Sequence, residues 1–292
     1  MIPPSFEYSS PKTLPEAISL LQKSGENAKI LAGGQSLIPV MKLRLGSPPH
    51  LIDINRIQGL SYTREAEGFL KIGALTRMAE LESSDLLKTK YPIIHDAARE
   101  IADPLVRNLG TAGGNLSHGD PANDLPAVML ATNAEFQVTG PKGSRMIKAK
   151  DFFVDTFTTA LQHDEILTEI RVPQFSAGSG GAYLKLEKRV GDFAIVGVGV
   201  QVSLDREGKC QSAGIGLTAV GSTAVKATKA EDFLKGKNLS EEATLTSASK
   251  LASEASSPTT DLRGPADYKK GMVRVLTARA LKRAHQRARG GT

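Results

Sequence analysis

At 292 residues, with 40% hydrophobic and 23% charged residues, the chain is long enough for two modest domains and has the make-up of an ordinary globular protein. Trp is absent and aromatic residues make up only 5%, which argues against a nucleic-acid platform of stacked rings. The formal charge of +6 is mild, and part of it gathers at Lys282, Arg283, Arg287 and Arg289, where a solvated helix end would carry it. The single cysteine, Cys210, can form no intrachain disulfide and can hold neither an iron–sulfur cluster nor a structural zinc. Met1-Ile2-Pro3-Pro4 lacks the basic flank and apolar run of a signal peptide. The most apolar stretch, Phe193 to Val202, is too short and glycine-rich to span a bilayer. A cytoplasmic protein without a transmembrane segment is expected.

Thr13-Leu14-Pro15-Glu16 is a capping-box pattern with an early proline, and the apolar stripe Ala17, Ile18, Leu20, Leu21 predicts a helix that Gly25 ends. Residues 28–32 read as a buried strand leading into Gly33-Gly34-Gln35-Ser36, followed by a turn or two of helix through Leu37 and Leu43. Residues 51–54 and 69–73 read as strands. Helical patterns follow from Thr76 and over 92–102, broken by Asp103-Pro104. Gly110-Thr111-Ala112-Gly113-Gly114-Asn115 reads as a second glycine loop. A helix from Leu125, a strand over 134–139, a turn at Gly140–Gly143 and a strand over 166–172 complete a first α/β or α+β unit.

The run from Phe175 to Gly181 is the most linker-like in the chain and places a domain boundary near residue 176. Beyond it, 182–188, 193–204 and 211–220 read as β segments, and 241–256 and 265–288 as amphipathic helices. This order implies an antiparallel sheet with helices on one face. Gly197-Val198-Gly199, inside an apolar strand, implies a close backbone approach or a bulge.

Two glycine loops flanked by Ser, Thr and Asn can present backbone N–H groups to an anion from two sides, although either could be a plain turn. Neither a P-loop nor a Rossmann glycine fingerprint is present. His118 with Asp120 falls short of a metal site, and Ser36, His95 and Asp53 make no recognisable nucleophile arrangement. No catalytic acid or base is assigned.

The segments Ala32-Gly33-Gly34-Gln35-Ser36-Leu37, 101–104 and 110–115, with the opening residues 2–8, the run 185–196 and the late motif 261–268, cover nearly the whole chain. Together they resemble the FAD-binding medium subunits of the molybdenum hydroxylases, the xanthine dehydrogenase and carbon monoxide dehydrogenase group. The resemblance implies an α+β fold. A two-part FAD-binding domain of vanillyl-alcohol oxidase (PCMH) type would occupy 1–176, with subdomains of about 1–56 and 57–176. A smaller domain would follow over 177–292.

By the same resemblance, Ala32, Gly33, Gly34, Gln35, Ser36 and Leu37 would face Thr111, Gly113, Gly114 and Asn115 across the FAD pyrophosphate. Asp124 would lie near the nucleotide, Ile101, Ala102 and Leu167 would line the cleft, Lys185 would sit near the flavin ring, and Phe193 would cover one ring face. Lys29 is a further candidate. Read as single residues, Asp124 equally suits a helix cap, Lys185 a solvated strand position, and Ile101, Ala102 and Leu167 ordinary core. Gln35 stands where many carbon monoxide dehydrogenases carry His, and Phe193 where Tyr or Trp is also familiar.

The resemblance further implies a large molybdenum-cofactor subunit and a small [2Fe–2S] subunit as partners, in a dimer of heterotrimers, with electrons leaving through FAD to an external acceptor. Any membrane association would run through those partners. Carbon monoxide is the leading substrate expectation. An aldehyde, purine or N-heterocycle dehydrogenase subunit, a flavin-free nucleotide-binding scaffold and a nicotinamide-dependent domain are the alternatives.

Overall fold

The predicted capping box opens the first helix. In the computed structural model, which describes residues 2–291, the Glu16 N–H donates to Thr13 Oγ1 and the Thr13 N–H donates to the Glu16 carboxylate. Helix α1 (Leu14–Ser24) then runs to Gly25, whose φ of 57° ends it. Strands β1 (Glu7–Ser9), β2 (Ala28–Leu31) and β3 (His50–Asp53) pair in parallel in the order β1-β3-β2. Helix α2 (Leu37–Lys42) lies in the β2–β3 connection.

A second sheet begins with the hairpin β4 (Thr63–Ala66) and β5 (Phe69–Gly73). Six helices follow before its next strand: α3 (Met78–Ser83), α4 (Asp85–Lys90), α5 (Pro92–Glu100), α6 (Pro104–Leu109), α7 (Ala112–His118) and α8 (Asp124–Ala131). Strands β6 (Glu135–Gly140) and β7 (Gly143–Lys148) form a hairpin, helix α9 (Ala149–Phe152) leads to the small hairpin β8 (Phe153–Asp155) and β9 (Thr158–Thr159), and β10 (Ile166–Pro173) returns to the centre. The five antiparallel strands lie in the order β4-β5-β10-β6-β7. Leu70, Ile72, Phe136, Val138 and Ile170 of this sheet share a core with Ile93, Ile94 and Ala97 of α5 and with Val128 of α8.

The third sheet, β11 (Ser179–Leu186), β12 (Val196–Leu204), β13 (Cys210–Thr218) and β14 (Val225–Lys226), is antiparallel throughout. Helices α10 (Thr228–Leu234), α11 (Glu242–Ala255) and α12 (Ala266–Ala288) follow it. Val198, Val200, Val202, Ile215 and Leu217 pack with Ala248, Val273, Leu276 and Ala280 on one face. On the opposite face the alternating glycines meet α8. A Cβ on Gly214 would lie 2.8 Å from the Ala131 carbonyl carbon, one on Gly216 2.7 Å from that of Ala127, and one on Gly199 3.5 Å from Val128 Cα. Gly199 sits in regular pairing with no bulge, and a Cβ there would make only ordinary contact; the close approach at Gly214 and Gly216 seats the second domain's sheet on a helix of the first.

Three expectations need correction. The helix over 92–102 ends at Glu100, because Ile101 is extended and Ala102 takes a φ of 48°. Asp103 breaks that helix but also caps α6, accepting from the Val106 N–H at 2.9 Å. The glycines read as linker at 180–181 belong to β11, where a Cβ on Gly180 would lie 3.0 Å from Ala288 Cα and one on Gly181 3.0 Å from Ile93 Cβ. They serve close packing between helices rather than freedom. Strands β1, β4 and β7 and helices α6 and α10 carry no strong apolar period and were not anticipated.

Gly216→Val is expected to lower stability by at least about 1–3 kcal/mol through overpacking against α8. Gly271→Ala, in open space on α12, should instead raise it by about 0.5–1 kcal/mol. Urea denaturation of the two variants beside the parent chain reads both signs.

Candidate functional site: a two-jawed cleft with a buried lysine

Gly34, with φ 73°, turns the chain sharply out of β2. Ser36, the N-cap of α2, makes no side-chain cap hydrogen bond. Among the described residues, none of the backbone N–H groups of residues 33–36 donates within the chain. A run of free N–H groups ending in a free hydroxyl is a ready anion cradle. The Gln35 amide folds back onto the Gly33 carbonyl at 3.3 Å.

The second glycine segment is the first turn of α7 rather than a loop. Its N–H groups are already engaged: Ala112 donates to the Thr76 carbonyl at 2.9 Å, Gly113 to that of Ala74 at 2.8 Å, and Gly114 to Thr111 Oγ1 at 3.1 Å. What this jaw offers outward is side chain. The buried Asn115 Oδ1 has no hydrogen-bond partner among the described residues. A buried polar atom left unpaired is costly and points to a missing donor.

The jaws are held face to face by contacts the sequence did not announce. Asn55 Nδ2 donates to the Ala32 carbonyl at 2.8 Å, Arg77 Nη2 donates to Asn55 Oδ1 at 2.7 Å, and Arg77 Nη1 donates to the Leu109 carbonyl. A Cβ on Gly33 would stand 2.7 Å from Gly110 Cα, and one on Gly114 3.8 Å from Ala32 Cβ. Gly33 thus lets the two jaws touch backbone to backbone, and Gly114, where a Cβ would stand 2.7 Å from Thr111 Oγ1, leaves room for the hydroxyl that caps α7.

Lys185 is no solvated strand residue. Its side chain is 1% exposed; Nζ donates to the carbonyls of Glu100 and, at 3.0 Å, Asp192, and lies 3.5 Å from Asp124 Oδ2 and 3.1 Å from Glu187 Oε2. Asp124 is the first residue of α8 but not its cap, which is Asn123. Its Oδ1 accepts from the buried Tyr183 hydroxyl at 2.6 Å. Burial pushes the Asp124 carboxyl up to about 6, against the opposing pull of the Lys185 charge and the Tyr183 hydrogen bond, and burial also raises the Tyr183 hydroxyl.

Ile101 and Ala102 lie directly after the Lys185-bound carbonyl of Glu100, Ile101 buried and Ala102 half-buried. Leu167 is buried on β10 in the main core. Phe193 is 48% exposed, with the Arg263 guanidinium 5.7 Å from its ring centre. Lys29 is exposed on the edge strand β2. The structure therefore brings 32–37, 111–115, 101–102, 124 and 185 around connected segments. It leaves Leu167 behind the second jaw and gives Lys29 no contact with it. Asn55, Arg77, Tyr183, Glu187 and Arg263 are additions; Glu187, inside the 185–196 run, and Arg263, inside the 261–268 motif, carried a signal in sequence.

No group of metal-ligating side chains exists among the described residues. His118 packs on Phe157 at 5.1 Å between ring centres, and burial lowers its pKa. Cys210 is buried with its thiol pushed up to about 11, which leaves no nucleophilic thiolate at neutral pH. The site offers binding groups and no nucleophile–base pair.

The family profile described as the FAD binding domain in molybdopterin dehydrogenase matches residues 4–175, and the CO dehydrogenase flavoprotein C-terminal domain matches 181–284. The chain belongs to the FAD-binding medium subunits of the molybdopterin dehydrogenases. It is 44% identical to the carbon monoxide dehydrogenase medium chain of Afipia carboxidovorans, over 99% of this chain and all of that one. It is 39% identical to the glyceraldehyde dehydrogenase medium chain of Sulfolobus acidocaldarius, over 97% and 99%. The corresponding chain of the Hydrogenophaga pseudoflava carbon monoxide dehydrogenase structure superimposes with a TM-score of 0.95 at 45% identity, covering 98% of this chain and 99% of that one. The subunit is the flavoprotein component of a molybdenum hydroxylase, and no described helix is long and apolar enough to cross a membrane.

The residues present fit FAD. Residues 33–36 offer free N–H groups to the acceptor oxygens of a pyrophosphate, and the unpaired Asn115 Oδ1, itself an acceptor, suits a hydroxyl or N–H group of the cofactor rather than its diphosphate.

Lys185→Met would leave two buried carboxylates without their cation and is expected to cost about 3–5 kcal/mol. Restoring part of that loss with Asp124→Asn in the same chain is the expected urea-denaturation result. Asp124 also sets a pH dependence. With its pKa raised from 3.8 to about 6, the native state keeps a proton that the unfolded chain has shed, so this group's contribution falls as pH rises from about 4 to about 6. Asp124→Asn should remove that fall, read from denaturation midpoints across the window.

Proposed function

We propose that the subunit holds FAD between the two jaws, takes electrons from [2Fe–2S] clusters of a partner subunit and passes them to an external acceptor, within a complex that oxidises carbon monoxide to carbon dioxide. The observation that carries the reading is the run of backbone N–H groups at 33–36 that donate to nothing within the described chain, at the end of a strand where an anion can be cradled. Ala32 to Leu37 form the first jaw, Thr111, Gly113, Gly114 and Asn115 the second. Asp124 and Lys185 hold the cleft's inner wall with Ile101 and Ala102, backed by the core residue Leu167; Phe193 covers the ring, and Lys29 is a further candidate. The FAD-binding domain spans 1–176 and the C-terminal flavoprotein domain 177–292.

FAD, when bound, supplies the redox chemistry that this chain's side chains cannot. The chain's own work is to bind the diphosphate, exclude water from the inner wall and fix the ring's surroundings. One cysteine cannot ligate an iron–sulfur cluster, so clusters and molybdenum cofactor reside in a small and a large partner subunit. The 44% identity to carbon monoxide dehydrogenase medium chains favours carbon monoxide. The 39% identity to glyceraldehyde and 6-hydroxypseudooxynicotine dehydrogenase subunits supports a second reading, in which the large subunit oxidises an aldehyde or an N-heterocycle.

The chain, purified with its co-purifying subunits, should be yellow, release FAD on heating and reduce a dye with carbon monoxide. A colourless preparation that no added FAD restores would sink the flavin reading. A yellow complex active only on aldehydes or heterocycles would move the substrate to the second reading. Gly114→Leu, whose side chain would crowd Thr111 Oγ1 and lie against Ala32 of the first jaw, is expected to abolish FAD retention; full occupancy in that variant would remove the second jaw from the site.

A further inference from the structure

Between the last turn of α5 and the first turn of α6, three consecutive carbonyls are each fixed by a cation. Lys185 Nζ donates to the Glu100 carbonyl, and Arg107 Nη1 donates to those of Ile101 and Ala102, both at 3.0 Å. The Arg107 side chain is 11% exposed, and its Nε donates to Glu82 Oε2 at 2.7 Å. Ala102, with φ 48°, occupies a region that an alanine takes only when its surroundings hold it there. The N–H groups of Ala102 and Asp103 have no acceptor among the described residues. Opposite lies the loop that carries Phe193: a Cβ on Gly191 would stand 3.0 Å from the Ala102 carbonyl oxygen and 3.7 Å from the Asp103 nitrogen. A cavity of about 160 Å³ opens at this junction, with Glu100, Ala102, Asp103, Arg107, Glu187 and Gly191 among its walls.

We propose that Arg107 is a positioning residue for the flavin: it draws the Ile101 and Ala102 carbonyls back into the protein and so turns the free Ala102 N–H toward the cofactor as a hydrogen-bond donor. The inference rests on the FAD reading above and assigns the donor and the group that sets it. Strain and cations fit together here. Left alone, Ala102 would relax to a negative φ, and the peptide between residues 101 and 102 would rotate with it, carrying the N–H away. Two charge-assisted hydrogen bonds from one guanidinium oppose that rotation. Lys185 holds the preceding carbonyl from the other domain, so the turn is fixed from both sides. Glu82 steadies the guanidinium but touches neither carbonyl.

The test uses the full chain, with FAD affinity measured by flavin fluorescence on titration and the bound flavin's visible absorbance and circular dichroism as a second readout. Arg107→Met is expected to weaken FAD binding by roughly 10- to 100-fold, the scale of lost hydrogen bonds from a charged group, and to alter the visible spectrum. Arg107→Lys should recover part of both. Ala102→Gly in the Arg107→Met chain should also recover part of the affinity, because glycine holds a positive φ without strain. Glu82→Gln, which removes the ion pair but not the carbonyl bonds, should stay close to the parent in both readouts. Where Arg107→Met does not fold, Arg107→Lys, expected below the parent in affinity and altered in spectrum, and Glu82→Gln, expected close to it, keep the comparison decisive; a parent-like Arg107→Lys, or a Glu82→Gln loss equal to it, would then overturn the proposal. A parent-like affinity and spectrum in Arg107→Met, no recovery with Ala102→Gly, or a loss in Glu82→Gln equal to that in Arg107→Met would overturn the proposal. A parent chain that binds no FAD would overturn the underlying cofactor reading instead.

Discussion

The Lys185 ammonium is the group on which the rest of the structure depends. Taking a cation out of water costs several kcal/mol unless its surroundings answer it on every side. Here the answer comes from four chain segments: two carboxylates, from α8 and from the end of β11, and two carbonyls, from the end of α5 and from the loop before Phe193. Each must arrive for the charge to be tolerated, so the charge sets where each goes. The register of β11 against α5, and the place of the Phe193 loop beside Ala102, follow from satisfying one side chain. A second tie lies nearby, where Arg287 of α12 donates to Asp96 of α5 at 2.6 Å and to the Gly181 carbonyl at 2.7 Å.

The glycines do two different jobs that look alike in sequence. Gly34 needs its backbone conformation, since φ 73° turns the chain and frees the N–H run. Gly33, Gly114, Gly214 and Gly216 need only the absence of a side chain: Gly33 so that the jaws can touch, Gly114 so that Thr111 can cap α7, and the others so that a sheet can lie on a helix. The two jaws are correspondingly unlike. The first presents backbone donors, whereas the second has spent its N–H groups on Ala74, Thr76 and Thr111 and presents side chains.

Much of this was legible in the chain itself. The capping box at Thr13, the strands with strong apolar content and the long C-terminal helices follow from local patterns that the tertiary structure does not override. The edge strands β4 (Thr-Arg-Glu-Ala) and β7 were not legible, because they face solvent and carry no alternation. Helix α7 was read as a loop because two glycines in seven residues argue against a helix, yet Thr111 caps it and the neighbouring carbonyls anchor it. In the site, the jaws showed themselves through glycine. Asn55, Arg77 and Arg107 did not, since an isolated polar residue carries no local sign of the carbonyl it will meet. Asp124 and Lys185, each open to a bland surface or capping reading, became partners only once the topology set β11 beside α8.

The position of the cleft's parts along the chain gives the site a birth order. Synthesis delivers both glycine jaws, with Asn55 and Arg77 to join them, before any of the C-terminal sheet exists, and domains generally fold in that order as they emerge. The Glu100 carbonyl and the Asp124 carboxylate wait for a cation that lies in the next domain. The jaws can therefore be assembled while the Lys185 end of the cleft is still incomplete. The chain finishes its own cleft in the act of docking its second half.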